Sequence, residues 1–298
     1  MRFLNFGSLN IDYVYQVDHF VKPGETMQSN GFRRACGGKG LNQSIALARA
    51  GASVWHAGMV GEEGTFLIDE LAAAGVRTEY TRKVGESTGH AIIQIDASGE
   101  NSIILYSGAN YCFTKDYIED VLRNFESGDI VLLQAETNLL GEIISAATKR
   151  GMRVALNAAP ASEHLLELPL EKVTWLIVNE TEGAVLSHHN EPDAIIAELL
   201  TRCPQSTIVL TLGEKGAFAA TTSEQIFVPA IPLDAVDTTA AGDTFVGYFL
   251  EWALRENDLK QSMKTATAAS ALAVMTHGAA ASIPNRKDVE RYLKRAER

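Results

Sequence analysis

Through the middle of the chain, short uninterrupted apolar runs alternate with segments of helical periodicity. Asp129-Ile130-Val131-Leu132-Leu133 is followed by residues 139–150, closed by Gly151, and then by Arg153-Val154-Ala155-Leu156. A continuous apolar run of this length reads as a strand covered on both faces, and a glycine after a helical pattern as its C-terminal stop. Trp175-Leu176-Ile177-Val178 and Thr207-Ile208-Val209-Leu210 repeat the strand signal. The pattern predicts an α/β fold, doubly wound, with a mainly parallel sheet and helices on both faces. Two stretches break the rhythm: residues 13–20 alternate with period two, and residues 91–95 and 102–105, joined by Ala97-Ser98-Gly99-Glu100, read as a hairpin. Neither leads promptly into a helix, so they predict a small antiparallel β sheet of about residues 12–36 and 88–108. It would project from a single domain, 1–298, as a lid over a ligand or as an interface.

Composition narrows the partners. The 298 residues are 46% hydrophobic and 21% charged, with no low-complexity block, repeat or linker, as expected of an ordered globular chain. A formal net charge of -11 repels polyphosphate backbones and anionic bilayers, so neither nucleic acid nor a membrane is expected as a partner. ATP remains possible, because backbone N–H groups at one helix N-terminus can hold an anion on an acidic protein. Cys36, Cys112 and Cys203 fit neither a disulfide framework nor a zinc site, which predicts a reduced, cytoplasmic setting. Asn10 and Asp12 come too early for a signal-peptide apolar region, and no run approaches transmembrane length, so neither export nor membrane insertion is expected.

Three segments carry chemistry. Asp237-Thr238-Thr239-Ala240-Ala241-Gly242-Asp243-Thr244-Phe245 opens a helical pattern with small residues that leave its N–H groups uncovered, an anion hole suited to a moving phosphoryl group. Asp243 inside it suits a general base for an acceptor hydroxyl; an acidic residue there also simply stabilises a first helical turn, and the segment alone does not separate the two. Gly37-Gly38-Lys39-Gly40-Leu41-Asn42 is not a Walker loop, since no Ser or Thr follows Lys39. Its glycines allow either close approach to a polyhydroxylated ligand, with Lys39 and Asn42 as donors, or merely a tight turn. Asn10 and Asp12, after the first apolar strand, can bond vicinal hydroxyls or form a turn. No further glycines follow Gly7 to make a dinucleotide loop.

In order, these motifs resemble the ribokinase-like carbohydrate kinase family. The likeness extends over nearly the whole chain through Pro23-Gly24-Glu25-Thr26, Gly85-Glu86-Ser87-Thr88-Gly89, Gly108-Ala109-Asn110, Leu156-Asn157-Ala158-Ala159-Pro160-Ala161, Asn179-Glu180-Thr181-Glu182 and Thr211-Leu212-Gly213. The resemblance implies an ATP-dependent kinase acting on a small sugar, with ribose and its 5-hydroxyl as the expected acceptor. It implies Asp243 as base, Ala240, Ala241 and Gly242 as anion hole, and Asn10, Asp12, Gly38, Lys39, Asn42 and Glu136 as sugar ligands. Asn179 and Glu182 would face phosphate and Mg²⁺; Thr211, Gly213, Gly216 and Thr267 would line the nucleotide. A K⁺ loop would fall on Asp237, Thr239, Ala273, Thr276, Gly278 and Ser282, although Gly278-Ala279-Ala280-Ala281-Ser282 lacks the family's proline. A homodimer through the lid is expected.

Other readings stay open on the sequence. A nucleoside kinase would need stacking surfaces such as Tyr13 and Tyr15, and a sugar-phosphate kinase would need cations such as Arg33 and Arg34. An inactive sensor would not need Asp243, Asn179 and Glu182 together. His188 and His189 read as a loop after a helix, Cys36 as an inert thiol, and the basic residues 286–298 as a solvated face. His90 and Gln94 share a strand face with Ile92, and the sequence does not say what that face meets.

Overall fold

The computed structural model describes residues 1–255 and 258–296. Its first half runs β1 (Phe3–Phe6), β2 (Asn10–Gln16), β3 (Gly31–Gly37), α1 (Lys39–Ala50), β4 (Val54–Val60), α2 (Thr65–Ala73), β5 (Arg77–Lys83), β6 (Gly89–Ile95), β7 (Asn101–Tyr106) and α3 (Lys115–Leu122). The second half continues with β8 (Ile130–Gln134), α4 (Leu140–Lys149), β9 (Arg153–Asn157), β10 (Trp175–Asn179), α5 (Glu180–Ser187), α6 (Pro192–Arg202), β11 (Thr207–Thr211), β12 (Gly216–Ala220) and β13 (Gln225–Pro229). Three helices close the chain: α7 (Ala241–Arg255), α8 (Leu259–Ala273) and α9 (Arg286–Ala296). Of the basic C-terminal segment, residues 297 and 298 lie outside the described residues.

The apolar runs become the main sheet, in the order β13-β12-β11-β10-β9-β8-β1-β4-β5 among the described residues. Pairing from β11 to β5 is parallel throughout; β12 pairs antiparallel with β11, and β13 with β12. Strand parity sorts side chains into two cores. Leu4, Phe6, Val131, Leu133, Val154 and Leu156 pack under α3, α4, α5 and α6. Phe3, Ile130, Leu132 and Ala155 pack under α1, α2, α7 and α8. Helices on both faces are therefore what two-sided apolar strands require.

The segments that broke the rhythm form a second sheet, β3-β2-β6-β7. Its outer pairs are antiparallel, while its central pair, β2 with β6, runs parallel. The parallel pair arises because β2 and β6 belong to separate insertions and each brings its own antiparallel partner. Within this sheet Asn10 and Asp12 alternate with Ile11, Tyr13 and Tyr15, so the tyrosines point to the opposite face. There Tyr13 packs against Phe32 and His90, and His90 against Tyr106. His90, Ile92 and Gln94 share that face by register and turn away from Asp12.

Two close approaches tie these parts together. A Cβ at Gly40 would overlap the backbone of Gly7 and Ser8, so the start of α1 crosses directly over the β1–β2 turn. A Cβ at Gly247 would collide with Ala46 and Leu47, so α7 lies hard against α1. That contact brings the beginnings of the two helices side by side.

Candidate active site

The C-terminal ends of the parallel strands and the beginnings of α1 and α7 converge on one cavity, lined by Lys39, Asn179, Glu182, Thr238, Gly242 and Asp243 among others. A second cavity is lined by Gly213, Gly216, Pro232, Phe245, Thr267 and Ala271 among others. Thr211, Thr238 and Gly242 border both. The two spaces therefore meet at the start of α7. Ligands of open α/β sheets lie at such strand ends.

Asp243 is buried, and a side-chain amide holds each of its oxygens: Asn42 Nδ2 donates to Oδ2 at 2.9 Å and Gln43 Nε2 to Oδ1 at 2.8 Å. Just before it the backbone turns left-handed at Ala240, φ 61°, and then enters the helix. Such a left-then-right turn aims successive N–H groups into one concavity. Ala241 N–H is directed at the Thr238 carbonyl, 3.2 Å away, whereas among the described residues no acceptor takes the N–H of Ala240, Gly242 or Asp243. Three free donors therefore converge at the junction of the two cavities, with the helix dipole behind them. Ala240 and Gly242 line the first cavity and Ala241 and Gly242 the second, with Ala241 the least available donor of the three.

Lys39 stands among carboxylates. Burial opposes its charge, but Asp243, Glu136 and Glu182 outweigh burial and hold it above the usual lysine value. Glu136 accepts from the Ser8 hydroxyl and, at 3.1 Å, from Lys39 N–H; burial raises its carboxyl, with Lys39 and Ser8 opposing. Ser8 in turn accepts Gly40 N–H at 3.1 Å, so Glu136 is wired to the same crossing that forces glycine at position 40. Burial, reinforced by Glu136 and only partly offset by Arg33, pushes the Asp12 carboxyl up to about 7. A Cβ at Gly37 would overlap that carboxylate, which explains the first glycine of the Gly-Gly-Lys-Gly segment. Arg33 shares the Asp12 face, while Arg34 stacks over Phe66, 4.4 Å from the ring. Asn10 Oδ1 accepts from Asn110 Nδ2 at 2.7 Å, and Asn110 Oδ1 accepts Leu9 N–H at 2.9 Å. Asn110 therefore fixes which way round the Asn10 amide sits.

Asn179 and Glu182 form a capping box on α5: Asn179 Oδ1 accepts Glu182 N–H and Glu182 Oε2 accepts Asn179 N–H. The expected ligand pair is thus also the N-cap of its helix, and it faces the first cavity. Burial raises the Glu182 carboxyl, against the Asn179 N–H and Lys39. Among the described residues no three of His, Cys, Asp and Glu gather into a metal cage. A carboxylate with one oxygen uncommitted suits Mg²⁺, a hard ion held mainly by water and substrate phosphates. Thr211, Gly213, Gly216 and Thr267 all border the second cavity. Thr267 Oγ1 is buried there with no partner among the described residues.

Asp237 Oδ1 accepts from Thr239 N–H and Oγ1, and Oδ2 from Gly278 N–H at 2.9 Å. Burial opposes its ionisation, but these donors prevail and keep the carboxyl below its usual range. Its own N–H and that of Val236 bond the Val274 carbonyl, and Ala273 accepts Thr276 N–H. Asp237, Thr239, Ala273, Thr276 and Gly278 are thus brought together, with Ser282 bonded to Ala279 one turn on. Cys36 is half-buried and its thiol is pushed up to about 11 by burial with Glu70 and Asp12, which disfavours the thiolate. His188 ends α5 in a left-handed turn, in the loop expected of it.

A helix start with unpaired N–H groups between a smaller cavity and a larger one, with Asp243 and Glu182 on the smaller side, is a layout suited to a small-molecule phosphotransferase. The chain matches the family described as pfkB family carbohydrate kinase over residues 3–286. It is 36% identical to the ribokinase of Haemophilus influenzae and 34% to that of Bacillus subtilis, covering 97% and 96% of this chain and 97% of each relative. The solved Arabidopsis thaliana ribokinase, complexed with ribose and ATP, superposes with a TM-score of 0.86 at 30% identity over 98% of both chains. This protein belongs to the pfkB family of carbohydrate kinases.

Proposed function

We propose that the protein transfers the γ-phosphoryl group of ATP to the 5-hydroxyl of ribose. The observation that carries this reading is the meeting of two cavities at Thr211, Thr238 and Gly242, with Asp243 on the smaller side. Sugar sits beside Lys39 and Asp243 at the edge of the smaller cavity and is held by Lys39 with Asn10, Asp12, Gly38, Asn42 and Glu136, which lie outside that cavity's lining. Glu136 is tied to it through the Lys39 N–H and Asn42 through Asp243. Asp243 takes the hydroxyl proton as the oxygen attacks phosphorus, and the N–H groups of Ala240, Gly242 and Asp243 receive the charge on the equatorial oxygens. Thr211, Gly213, Gly216 and Thr267 flank the nucleotide in the larger cavity.

Asn179 and Glu182 would hold Mg²⁺ through water, and the bound ion supplies charge neutralisation at the phosphates. The carbonyls and hydroxyls around Asp237, Thr239, Ala273, Thr276, Gly278 and Ser282 offer hard oxygen donors that fit K⁺. Asp237 ties the strand-to-helix loop to Gly278, so an ion there steadies the anion-hole backbone from behind.

The four-stranded sheet, strands 10–16, 31–37, 89–95 and 101–106, acts as the lid of the single domain, carrying Asn10 and Asp12 onto the sugar. Its other face exposes Phe32, Ile92, Ile104 and Tyr106, and a second copy of this chain covers it. Because Tyr13 and Tyr15 lie on that outer face, no aromatic pair from β2 is offered to a nucleobase beside Asp12, which favours a sugar acceptor over a nucleoside. Free cysteines and the lack, among the described residues, of a helix long and apolar enough to cross a membrane accord with a cytoplasmic enzyme.

The test is a coupled assay of ADP formation with ribose, deoxyribose, fructose, ketodeoxygluconate and nucleosides. Ribose is expected to give the highest kcat/KM. A preference for a nucleoside by tenfold or more would overturn the assignment of the acceptor.

A further inference from the structure

Beneath Asp243 the face of the main sheet that meets α1 and α7 changes character. Asn5, Gln134 and Asn157 continue the parity of Phe3, Ile130, Leu132 and Ala155, positions that fill the core under those helices. Asn5 and Gln134 are wholly buried, as is Gln43 on α1. Burying amides in an apolar core is costly unless their hydrogen bonds are made, and here most are made to one another, with Gln134 Oε1 left without a partner among the described residues.

The bonds run outward from Gln134 in two branches, one to Asp243 and one to His56. Gln134 Nε2 donates to Asn5 Oδ1 at 3.1 Å and to Gln43 Oε1 at 2.7 Å. Gln43 Nε2 then donates to Asn157 Oδ1 and to Asp243 Oδ1, both at 2.8 Å. Asn5 is anchored through Nδ2, which donates to the Gly40 carbonyl and to Ser44 Oγ, both at 2.8 Å. The far end is Ser44 Oγ, 2.8 Å from Nδ1 of His56. Burial pushes the His56 imidazole down to about 3, so it is neutral, and its Nδ1 can accept the serine proton. Every amide thus has a defined orientation: turning over Gln43 would set its oxygen against two acceptors and its nitrogen against the Gln134 donor.

We propose that Gln43, oriented by Gln134, is a positioning residue for the catalytic base. The inference rests on Asp243 being that base. Two amide donors on opposite oxygens stop the carboxylate from rotating, so the lone pair facing the cavity stays aligned with the incoming hydroxyl. Gln43 and Gln134 line neither cavity. Their effect falls on turnover rather than on binding, because orientation of a base matters when the proton moves.

The experiment is a double-mutant cycle on the full-length enzyme with ribose and MgATP. Gln43→Leu is expected to lower kcat about 10- to 100-fold while KM for both substrates stays within about 3-fold. Gln134→Leu should give a smaller loss, absent when Gln43 is already Leu. In the Asp243→Asn background Gln43→Leu should cost nothing further, because there is no base left to align. Equal losses in both backgrounds, or wild-type kcat in Gln43→Leu, would overturn the proposal. Gln43→Met serves as a second variant of similar volume, and loss of the folded state in both, read by thermal melting, would assign the amide to packing and overturn it too. Near wild-type turnover of Asp243→Asn alone would instead remove the base itself, so the two failures are distinct.

Discussion

Replacing Asp12 by Asn should make the protein more stable and a worse kinase. In the folded chain the Asp12 carboxyl is raised to about 7, first by burial and then by Glu136, with Arg33 opposing. In the unfolded chain it titrates near the ordinary aspartate value of about 3.9. Between those two values the folded state holds a proton that the unfolded state has released, so stability falls as pH rises through the window and the loss is complete above about 7. A separation of about three units at about 1.4 kcal/mol each gives at most about 4 kcal/mol. Asn carries no charge and escapes this cost. Urea denaturation should therefore show Asp12→Asn more stable than wild type by up to about 4 kcal/mol near pH 8, with the gap shrinking to under half that near pH 5. The same change removes an ionised acceptor for sugar hydroxyls, commonly a contribution of about 1.5–3 kcal/mol, so KM for ribose should rise roughly 10- to 150-fold. In wild type, KM for ribose should fall as pH rises through about 7, as the carboxylate forms. A variant no more stable than wild type near pH 8, or a gap that does not vary with pH, would refute the reasoning.

Asp243→Asn should lower turnover by about a hundredfold to ten-thousandfold with ADP affinity, read by calorimetry, unchanged, since the amide keeps the shape but cannot take the proton. Gly37→Ala should drive the Asp12 side chain from its place, raising KM for ribose and destabilising by about 1–3 kcal/mol in a melt, as overpacking does. Rates in K⁺ should exceed those in a bulky organic cation at matched ionic strength, and equality would show that the Asp237 loop needs no ion. In hydrogen exchange, ribose should slow amides of β2 and β6 far more than those of β8, and equal protection would argue that the four-stranded sheet is fixed.

The architecture was legible because apolar runs such as Ile130 to Leu133 state their own burial on both sides, and period-two stretches state theirs on one. The parallel pairing of β2 with β6 was not, since strands about 80 residues apart in sequence carry no local sign of their relative direction. Asp243 and Lys39 stood out through their small-residue context, and the Asn179–Glu182 pair only through the family resemblance. Gln43 and Gln134 were not: each is a neutral amide next to an apolar run, and a polar residue at the end of a strand reads as the strand leaving the core; Asn110 and Asn157 fell inside motifs of the resemblance but without a role. The available sign was parity. Asn5, between Leu4 and Phe6, and Gln134 occupy positions that the alternation assigns to the inside, and a buried amide there needs a partner from elsewhere in the chain.

The tight seat of Gly247 on Ala46 has a consequence for how this enzyme can change over evolutionary time. It locks α1 to α7 inside the body, so Asp243, the proposed base, its amide donors and the turn proposed to bind phosphoryl share one rigid frame. Asn10 and Asp12 ride on a different sheet. Substitutions along β2, β3, β6 and β7 can therefore retune which polyol is accepted while the transfer step keeps its alignment. Drift at Gly247 or Ala46, remote from any ligand, would instead degrade turnover on every acceptor alike.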